Sequence, residues 1–319
     1  MSTVATDATA AEIPLDDISG CVWDIKRFAL HDGPGVRTTV FFKGCRMRCP
    51  WCCNPESQRP RPEIAWLQDR CLGCDRCRES CPVGAVTLEN GARRIDPELC
   101  DLCGACLAAC PSGALNQVGR RVAVQQVLDE VMRDSVFYQR SGGGLTLSGG
   151  EPASQPAFAG ELLRRYKEQE YGLHTAIETA GHVAWAELQS LLANTDLVFY
   201  DLKIMDPQAH RRATGVDNGL ILENARRVAG SHVPMVIRLP VIPGYTDDEE
   251  NVAAIAAFVA GLGAVRQIDL LPYHRLGEPK YARLGRGYPL SGTHQLDAWQ
   301  LERLAQVVSQ HGLTVQIGG

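Results

Sequence analysis

Three cysteines in the segment Lys43-Gly44-Cys45-Arg46-Met47-Arg48-Cys49-Pro50-Trp51-Cys52 follow a C-x3-C-x2-C spacing. In reducing surroundings, thiolates this close bind metal rather than persist as disulfides. Three thiolates hold three irons of a [4Fe–4S] cube. The fourth iron stays open to a substrate, as a catalytic metal keeps a free position. The competing reading is a zinc or structural iron–sulfur site completed by a ligand from elsewhere. The chain has 13 cysteines, all between Cys21 and Cys110; a disulfide-stapled protein would spread its bridges along the chain.

Eight of these cysteines form two copies of one unit, Cys71-x2-Cys74-x2-Cys77-x3-Cys81-Pro82 and Cys100-x2-Cys103-x2-Cys106-x3-Cys110-Pro111. This is the bacterial run for two [4Fe–4S] cubes, in which the fourth cysteine of each run crosses to the other cube. Cys71, Cys74, Cys77 and Cys110 are thus assigned to one cube, and Cys100, Cys103, Cys106 and Cys81 to the other. Zinc ligands come instead as pairs separated by a longer loop. Cys21 and Cys53 are left over and read as small buried or partly buried residues.

The elements that must position these groups follow from periodicity. Val36–Phe42 is β-branched and aromatic, a strand that runs straight into the first cysteine motif. Arg59-Pro60-Arg61-Pro62 reads as a linker. Downstream, helices at 124–138, 156–169, 184–193, 219–230, 249–261 and 294–311 alternate with strands at 145–148, 173–177, 196–202, 235–239, 267–271 and 314–317. A repeated βα unit implies an α/β fold: a parallel sheet with helices outside, as a partial or full barrel. The expected organisation is a loose tail at 1–18, a barrel made of 19–59 and 119–319, and a cysteine-rich domain inserted at 60–118, after the first βα connection.

Several strand ends carry reactive side chains, and active sites of such barrels lie at the C-terminal ends of the strands. Gly149-Gly150-Glu151-Pro152 follows a strand. Its glycines let backbone approach a ligand, and Glu151 can accept a hydrogen bond from an ammonium group. Alternation puts Asp201 and Lys203 on one face of a strand end, with Leu202 opposite. Arg238 and His274 close two further strands.

Composition excludes other classes. Lys plus Arg number 32 against 37 Asp plus Glu, a net charge of −5, so no nucleic-acid partner held by bulk charge is expected. No apolar run is long enough to span a membrane. No basic residue precedes Lys26, so the N-terminus does not read as a secretory signal, and a cytoplasmic location is expected.

Taken together, His31-Asp32-Gly33-Pro34-Gly35-Val36-Arg37-Thr38, the three-cysteine motif and Asn54-Pro55-Glu56 resemble the glycyl radical enzyme activating enzymes of the radical S-adenosylmethionine (SAM) superfamily. The resemblance runs from about Val22 to the C-terminus. It implies a partial (β/α)6-type TIM barrel with an inserted bacterial ferredoxin-like domain. It implies SAM and three [4Fe–4S] clusters as cofactors, with Cys45, Cys49 and Cys52 holding the cube that SAM joins through its amino and carboxylate groups. Reductive cleavage of SAM gives a 5′-deoxyadenosyl radical, which abstracts hydrogen from a glycine Cα of a partner glycyl radical enzyme. The radical arises at that cube, so no acid–base pair or nucleophile is assigned.

The same resemblance implies that Gly149, Gly150 and Glu151 bind the methionyl amino group. Asp201, Leu202 and Lys203 lie against SAM, Arg238 donates to it, His274 contacts it, and the backbones of Trp51, Cys52 and Cys53 border the adenine. Glu178, Thr179 and Asp201 match positions that hold a monovalent cation in some relatives, with Glu178 standing where those relatives often carry Asp. The implied electron donor is a flavodoxin or ferredoxin, and the extra clusters act either as a relay or as staples of the small domain. The insert sets the chain apart from pyruvate formate-lyase activases, and leaves partners of choline, isethionate, glycerol, hydroxyphenylacetate or arylalkane chemistry. The alternative is a radical SAM enzyme that oxidises another peptide or a small molecule with the extra clusters as electron acceptors. HDGPG and the absence of cysteines after Cys110 favour the activase.

Overall fold

The computed structural model describes residues 18–89, 91–169 and 173–318. The expected tail, but for residue 18, lies outside them. The chain opens with β1 (Ser19–Ala29) and β2 (Arg37–Phe42), an antiparallel pair. The cysteine-rich block follows as β3 (Glu63–Trp66), α1 (Arg76–Glu79), β4 (Val86–Glu89), β5 (Ala92–Ile95), α2 (Ala105–Ala108) and β6 (Leu115–Val118). Next, β7 (Arg120–Ala123) returns the chain to pair antiparallel with β1. After it come α3 (Val124–Met132), α4 (Ser135–Ser141), β8 (Gly144–Gly149), α5 (Pro156–Lys167), β9 (His174–Thr179) and α6 (Trp185–Leu192). They are followed by β10 (Leu197–Asp201), α7 (Pro207–Thr214), α8 (Gly219–Ala229), β11 (Met235–Val241) and α9 (Glu249–Gly261). The last elements are β12 (Gln267–Pro272), α10 (Glu278–Arg283), α11 (Ala298–Ser309) and β13 (Thr314–Ile317).

Nine strands form one sheet in the order β13-β12-β11-β10-β9-β8-β2-β1-β7. From β2 to β13 every pairing is parallel. β13 and β7 stand at opposite edges, so of the two expected forms, partial or full barrel, the sheet takes the open one. The helices begin where local chemistry starts them. Asp206 caps α7 by accepting from the Ala209 N–H at 2.6 Å, with Pro207 in the first turn. Asp248 caps α9 from the Glu250 N–H at 3.0 Å. These positions suit side-chain acceptors and proline. The faces of α5 carrying Phe158, Leu162, Leu163 and Tyr166 are fully or almost fully buried against the sheet, each worth about 1.5–3 kcal/mol of transfer from water.

The expected helix at 124–138 is two helices. The break falls at Asp134, a buried carboxylate drawn out of helical register by an ion pair with Arg27 of β1. The cysteine-rich block sits inside the first strand-to-helix connection, between β2 and α3, rather than after it. It has its own small core of Ile64, Trp66, Cys77, Val86, Cys106, Ala114 and Leu115. β3 pairs antiparallel with β6, and β4 with β5. The strand before the first cysteine run therefore pairs with the strand after the second, which interleaves the two runs.

Candidate functional site

The loop carrying Cys45, Cys49 and Cys52 starts where β2 ends. Its backbone is pinned from several sides: the Gly44 N–H donates to Ser57 O at 2.6 Å, Arg48 N–H to Thr214 O at 2.7 Å, and Cys52 N–H to Cys49 O at 3.1 Å. Lys43 beneath it is fully buried and donates Nζ to Glu56 O at 2.5 Å. Burial holds all three thiols above their ordinary pKa, Cys49 at about 12 and Cys52 well above its usual value. Thiols in such a place ionise readily when a metal supplies positive charge.

These cysteines open on a cavity of about 340 Å³ at the C-terminal ends of the parallel strands. Gly149 and Gly150 form its wall from β8. Gly149 has φ +103°, and a Cβ at Gly150 would lie 2.4 Å from Gly44 O. The glycines let the turn press onto the end of β2, where Gly150 N–H donates to Phe42 O at 2.9 Å and Glu151 N–H to Gly44 O at 2.8 Å. Here glycine is required by backbone meeting backbone.

Glu151 itself does not line the cavity. Its carboxylate is buried in the protein, accepting from Thr179 Oγ1 at 2.7 Å and from the Ala153 and Ala180 N–H groups at 3.2 Å. Burial pushes its pKa up to about 7. Asp201 and Lys203 share the cavity face as alternation requires, joined at 2.8 Å. Leu202 packs into the core and is 2% exposed. Burial works against the Lys203 ammonium, yet Asp201 and the Cys49 and Cys45 thiols outweigh it and raise its pKa.

Glu178 and Thr179, at the end of β9, also line the cavity. Glu178 is engaged at both oxygens, by Ser148 Oγ and by the Arg238 guanidinium. Burial raises its pKa against the pull of Arg238. Thr179 is spent on Glu151, and Asp201 on Lys203, so the three residues matched to a cation site each hold a protein partner. Arg238 donates Nη2 to His31 O at 2.9 Å, sits 3.7 Å over the Phe199 ring, and keeps a buried Nε with no hydrogen-bond partner. His274 lines the mouth, and Trp51, in edge contact with Tyr245, the inner wall. Cys53 borders the cavity, its carbonyl accepting from Lys280 Nζ at 2.9 Å.

Sequence reasoning missed part of this wall. Asp32 of the HDGPG segment lines the cavity, holding the Thr39 hydroxyl at 2.5 Å. Arg37, fully buried, fastens that segment by donating Nη1 to Pro34 O at 3.0 Å and Nη2 to Leu145 O at 2.7 Å. α10 was not foreseen either. Its Lys280 holds the loop after Cys52, and a Cβ at the preceding Gly277 would lie 3.0 Å from Cys52 O.

In the inserted block, Cys71, Cys74, Cys77 and Cys110 line one small cavity. Cys106 lies among Cys81, Cys100 and Cys103, whose charges, after burial, raise its pKa to about 11. The fourth cysteine of each run thus sits with the other run. Among the described residues no three His, Cys, Asp or Glu side chains converge on a single ion; a cube does not require that, since each thiolate takes its own iron. Cys21 lies in β1 and is buried away from these groups.

Residues 39–256 match the Radical SAM superfamily model. The chain is 46% identical over 303 residues to the isethionate sulfite-lyase activating enzyme of Oleidesulfovibrio alaskensis, covering 93% of this chain and 96% of that one. It is 41% identical over 308 residues to the indoleacetate decarboxylase activating enzyme of Tractidigestivibacter scatoligenes, with the same coverage of 93% and 96%. Its fold resembles that of Streptococcus suis SuiB bound to precursor peptide SuiA, at TM-score 0.50 and 13% identity over 86% of this chain and 46% of that one. No helix among the described residues is long and apolar enough to cross a membrane. A three-cysteine loop at a strand end, a cavity at the C-terminal edge of an open parallel sheet and these relatives agree: the chain belongs to the radical SAM superfamily, among its glycyl radical enzyme activating enzymes.

Proposed function

We propose that Cys45, Cys49 and Cys52 hold the SAM-binding [4Fe–4S] cube and that two further cubes occupy the inserted block, a ferredoxin-like domain at 60–118 beside a barrel of 19–59 and 119–319. The observation that carries this reading is the convergence of three free thiols, the Gly149-Gly150 turn and the cations Lys203 and Arg238 on one cavity. The donor set fits the group. Three thiols leave an iron open, and the unpartnered Arg238 Nε–H at the wall is a buried donor awaiting an acceptor. When bound there, the cube and SAM supply reductive cleavage to methionine and a 5′-deoxyadenosyl radical, which takes hydrogen from a glycine Cα of the partner enzyme.

The chain's own residues bind and orient. Gly149 and Gly150 present backbone to the methionyl end. Glu151 acts from behind, fixing that turn to Thr179 rather than touching the ligand. Lys203 and Arg238 face the carboxylate and ribose, and His274, Trp51 and Cys53 border the nucleoside. Asp201 holds Lys203 in place, and Leu202 locks the strand end into the core. A monovalent cation at Glu178, Thr179 and Asp201 requires Glu178 to release Arg238. The partner's glycine loop must leave its parent's interior to reach this cavity. Among partners, isethionate sulfite-lyase is our reading, supported by the relative at 46% identity. The donor is a cytoplasmic flavodoxin or ferredoxin, with the inserted cubes as relay.

Anaerobic reconstitution, iron counting and 5′-deoxyadenosine release test this. About twelve irons with SAM cleavage that is lost in Cys49→Ala is the expected result. About eight irons without SAM cleavage would overturn the three-cysteine assignment. Electron paramagnetic resonance of candidate partners after incubation then identifies the target by its glycyl radical.

A further inference from the structure

The two four-cysteine sites are copies in spacing but not in surroundings. Superposing the runs on their cysteines places Trp66 opposite Ile95, Arg93 opposite Ile64, and Asp75 opposite Gly104. Trp66, Arg93 and Asp75 all line the cavity of the Cys71, Cys74, Cys77 and Cys110 site. Arg93 is 4% exposed and Trp66 6%. Arg93 gives Nη2 to Asp75, while its Nε and Nη1 and the Trp66 Nε1 have no hydrogen-bond partner. An unsatisfied buried donor is costly, so three on one wall call for an acceptor in the cavity they line.

The other site has no such wall. Cys100 has Ile64 and Ile95 beside it, at the cleft that reaches Leu284 and Gly285 of the barrel. Arg59, Arg61, Arg94 and Arg286 border that cleft, but none is fully buried and each already has a partner: Arg59 and Arg286 hold Glu63, Arg61 holds Glu98, and Arg94 turns to the Gly285 carbonyl and to Glu89. A cube held by four thiolates is anionic and gains negative charge on reduction. Buried cations and N–H donors aimed at its sulfurs favour the reduced form, because charge and hydrogen bonding set such potentials.

We propose that Arg93 and Trp66 make the Cys71–Cys74–Cys77–Cys110 cube the higher-potential member of the inserted pair, so that it takes the first of their two electrons. The Cys81–Cys100–Cys103–Cys106 cube, against the barrel, is the lower-potential member. This rests on the three-cube reading above. It makes the block directional: the cube farther from the Leu284–Gly285 contact stores an electron, and the cube at that contact passes one on.

The test is a potentiometric titration of the reconstituted full-length protein, followed by electron paramagnetic resonance. Two resolved steps are expected from the inserted cubes of the wild type. Arg93→Gln moves the higher step to more negative potential and leaves the lower one in place, whereas Arg93→Lys keeps it nearer the wild-type position. Trp66→Phe, which retains the ring and removes the N–H, moves it the same way by less. Unchanged steps in Arg93→Gln and Trp66→Phe at full iron content overturn the proposal, as does a shift confined to the lower step. Should Arg93→Gln lose iron, Trp66→Phe and Arg93→Lys decide by the same criteria. A wild-type count of about four irons would instead sink the three-cube reading itself.

Discussion

Glu151 and Thr179 are joined through the floor of the cavity: the carboxylate accepts the threonine hydroxyl at 2.7 Å, and both are buried. The turn after β8 is thereby tied to the end of β9. Burial raises the Glu151 pKa to about 7. A raised folded pKa contributes stability that is complete below the unfolded carboxylate value and is lost as pH climbs through 7. We expect Glu151→Gln to flatten the fall in melting temperature between pH 5 and 8 (about 3 kcal/mol at most). A wild-type pH profile retained in the variant would refute the assignment.

Gly150→Ala places a methyl 2.4 Å from Gly44 O and 2.8 Å from its carbonyl carbon, both backbone atoms that cannot swing aside. Overpacking of this kind costs about 1–3 kcal/mol. The strain falls on the joint between the cysteine loop and the cavity wall. Equilibrium binding should show SAM affinity reduced at least about tenfold, beside a lowered melting temperature.

Lys203→Met removes a cation from the cavity and strands Asp201. We expect SAM binding to weaken by about 1.5–3 kcal/mol, the range for a hydrogen bond to a charged group. The double variant Asp201→Asn/Lys203→Met should recover stability but not affinity. Recovery of both would show that Lys203 serves only Asp201.

Cys45, Cys49 and Cys52 carry raised thiol pKa values. Without metal they keep their protons, which iron must displace, so retention of iron at this loop strengthens as pH rises. Chelator challenge at pH 6.5, 7.5 and 8.5 should remove iron fastest at the lowest pH. Lys280→Ala, which frees the Cys53 carbonyl, should accelerate the loss at every pH.

Much of this molecule was legible because its signals are local. The cysteine spacings bring Cys45, Cys49 and Cys52 to one cavity and Cys71, Cys74, Cys77 and Cys110 to another, and the strands that follow amphipathic helices are short segments rich in apolar and β-branched residues. What escaped notice depends on tertiary partners. β1 carries Asp24, Lys26 and Arg27 and alternates only in part, and its pairing with β2 and β7 decides its form. Asp134 breaks a helix because Arg27 lies across from it. Glu151 reads as a ligand residue by its neighbours in sequence, yet Thr179, 28 residues on, takes its carboxylate. α7 and α10 are eight and six residues long, too short for periodicity to declare, though the last carbonyl of one accepts from the Arg48 N–H and Lys280 of the other holds the Cys53 carbonyl. Arg93 shows the same limit from the other side: its pairing with Asp75 and its open N–H groups exist only once the two runs interleave.

Residues 63 and 118 are partners across the β3–β6 ladder, and Lys43 reaches Glu63 at 3.4 Å. The inserted block thus leaves and rejoins its host through one doorway. A lineage could acquire or discard such a passenger by a single recombination without re-threading any strand of the sheet, and a short hairpin across that doorway would close the gap. On the relay reading proposed above, electron supply and radical chemistry would be separately heritable parts, and trading one block for another would re-tune the current delivered while leaving the chemistry of the cavity alone.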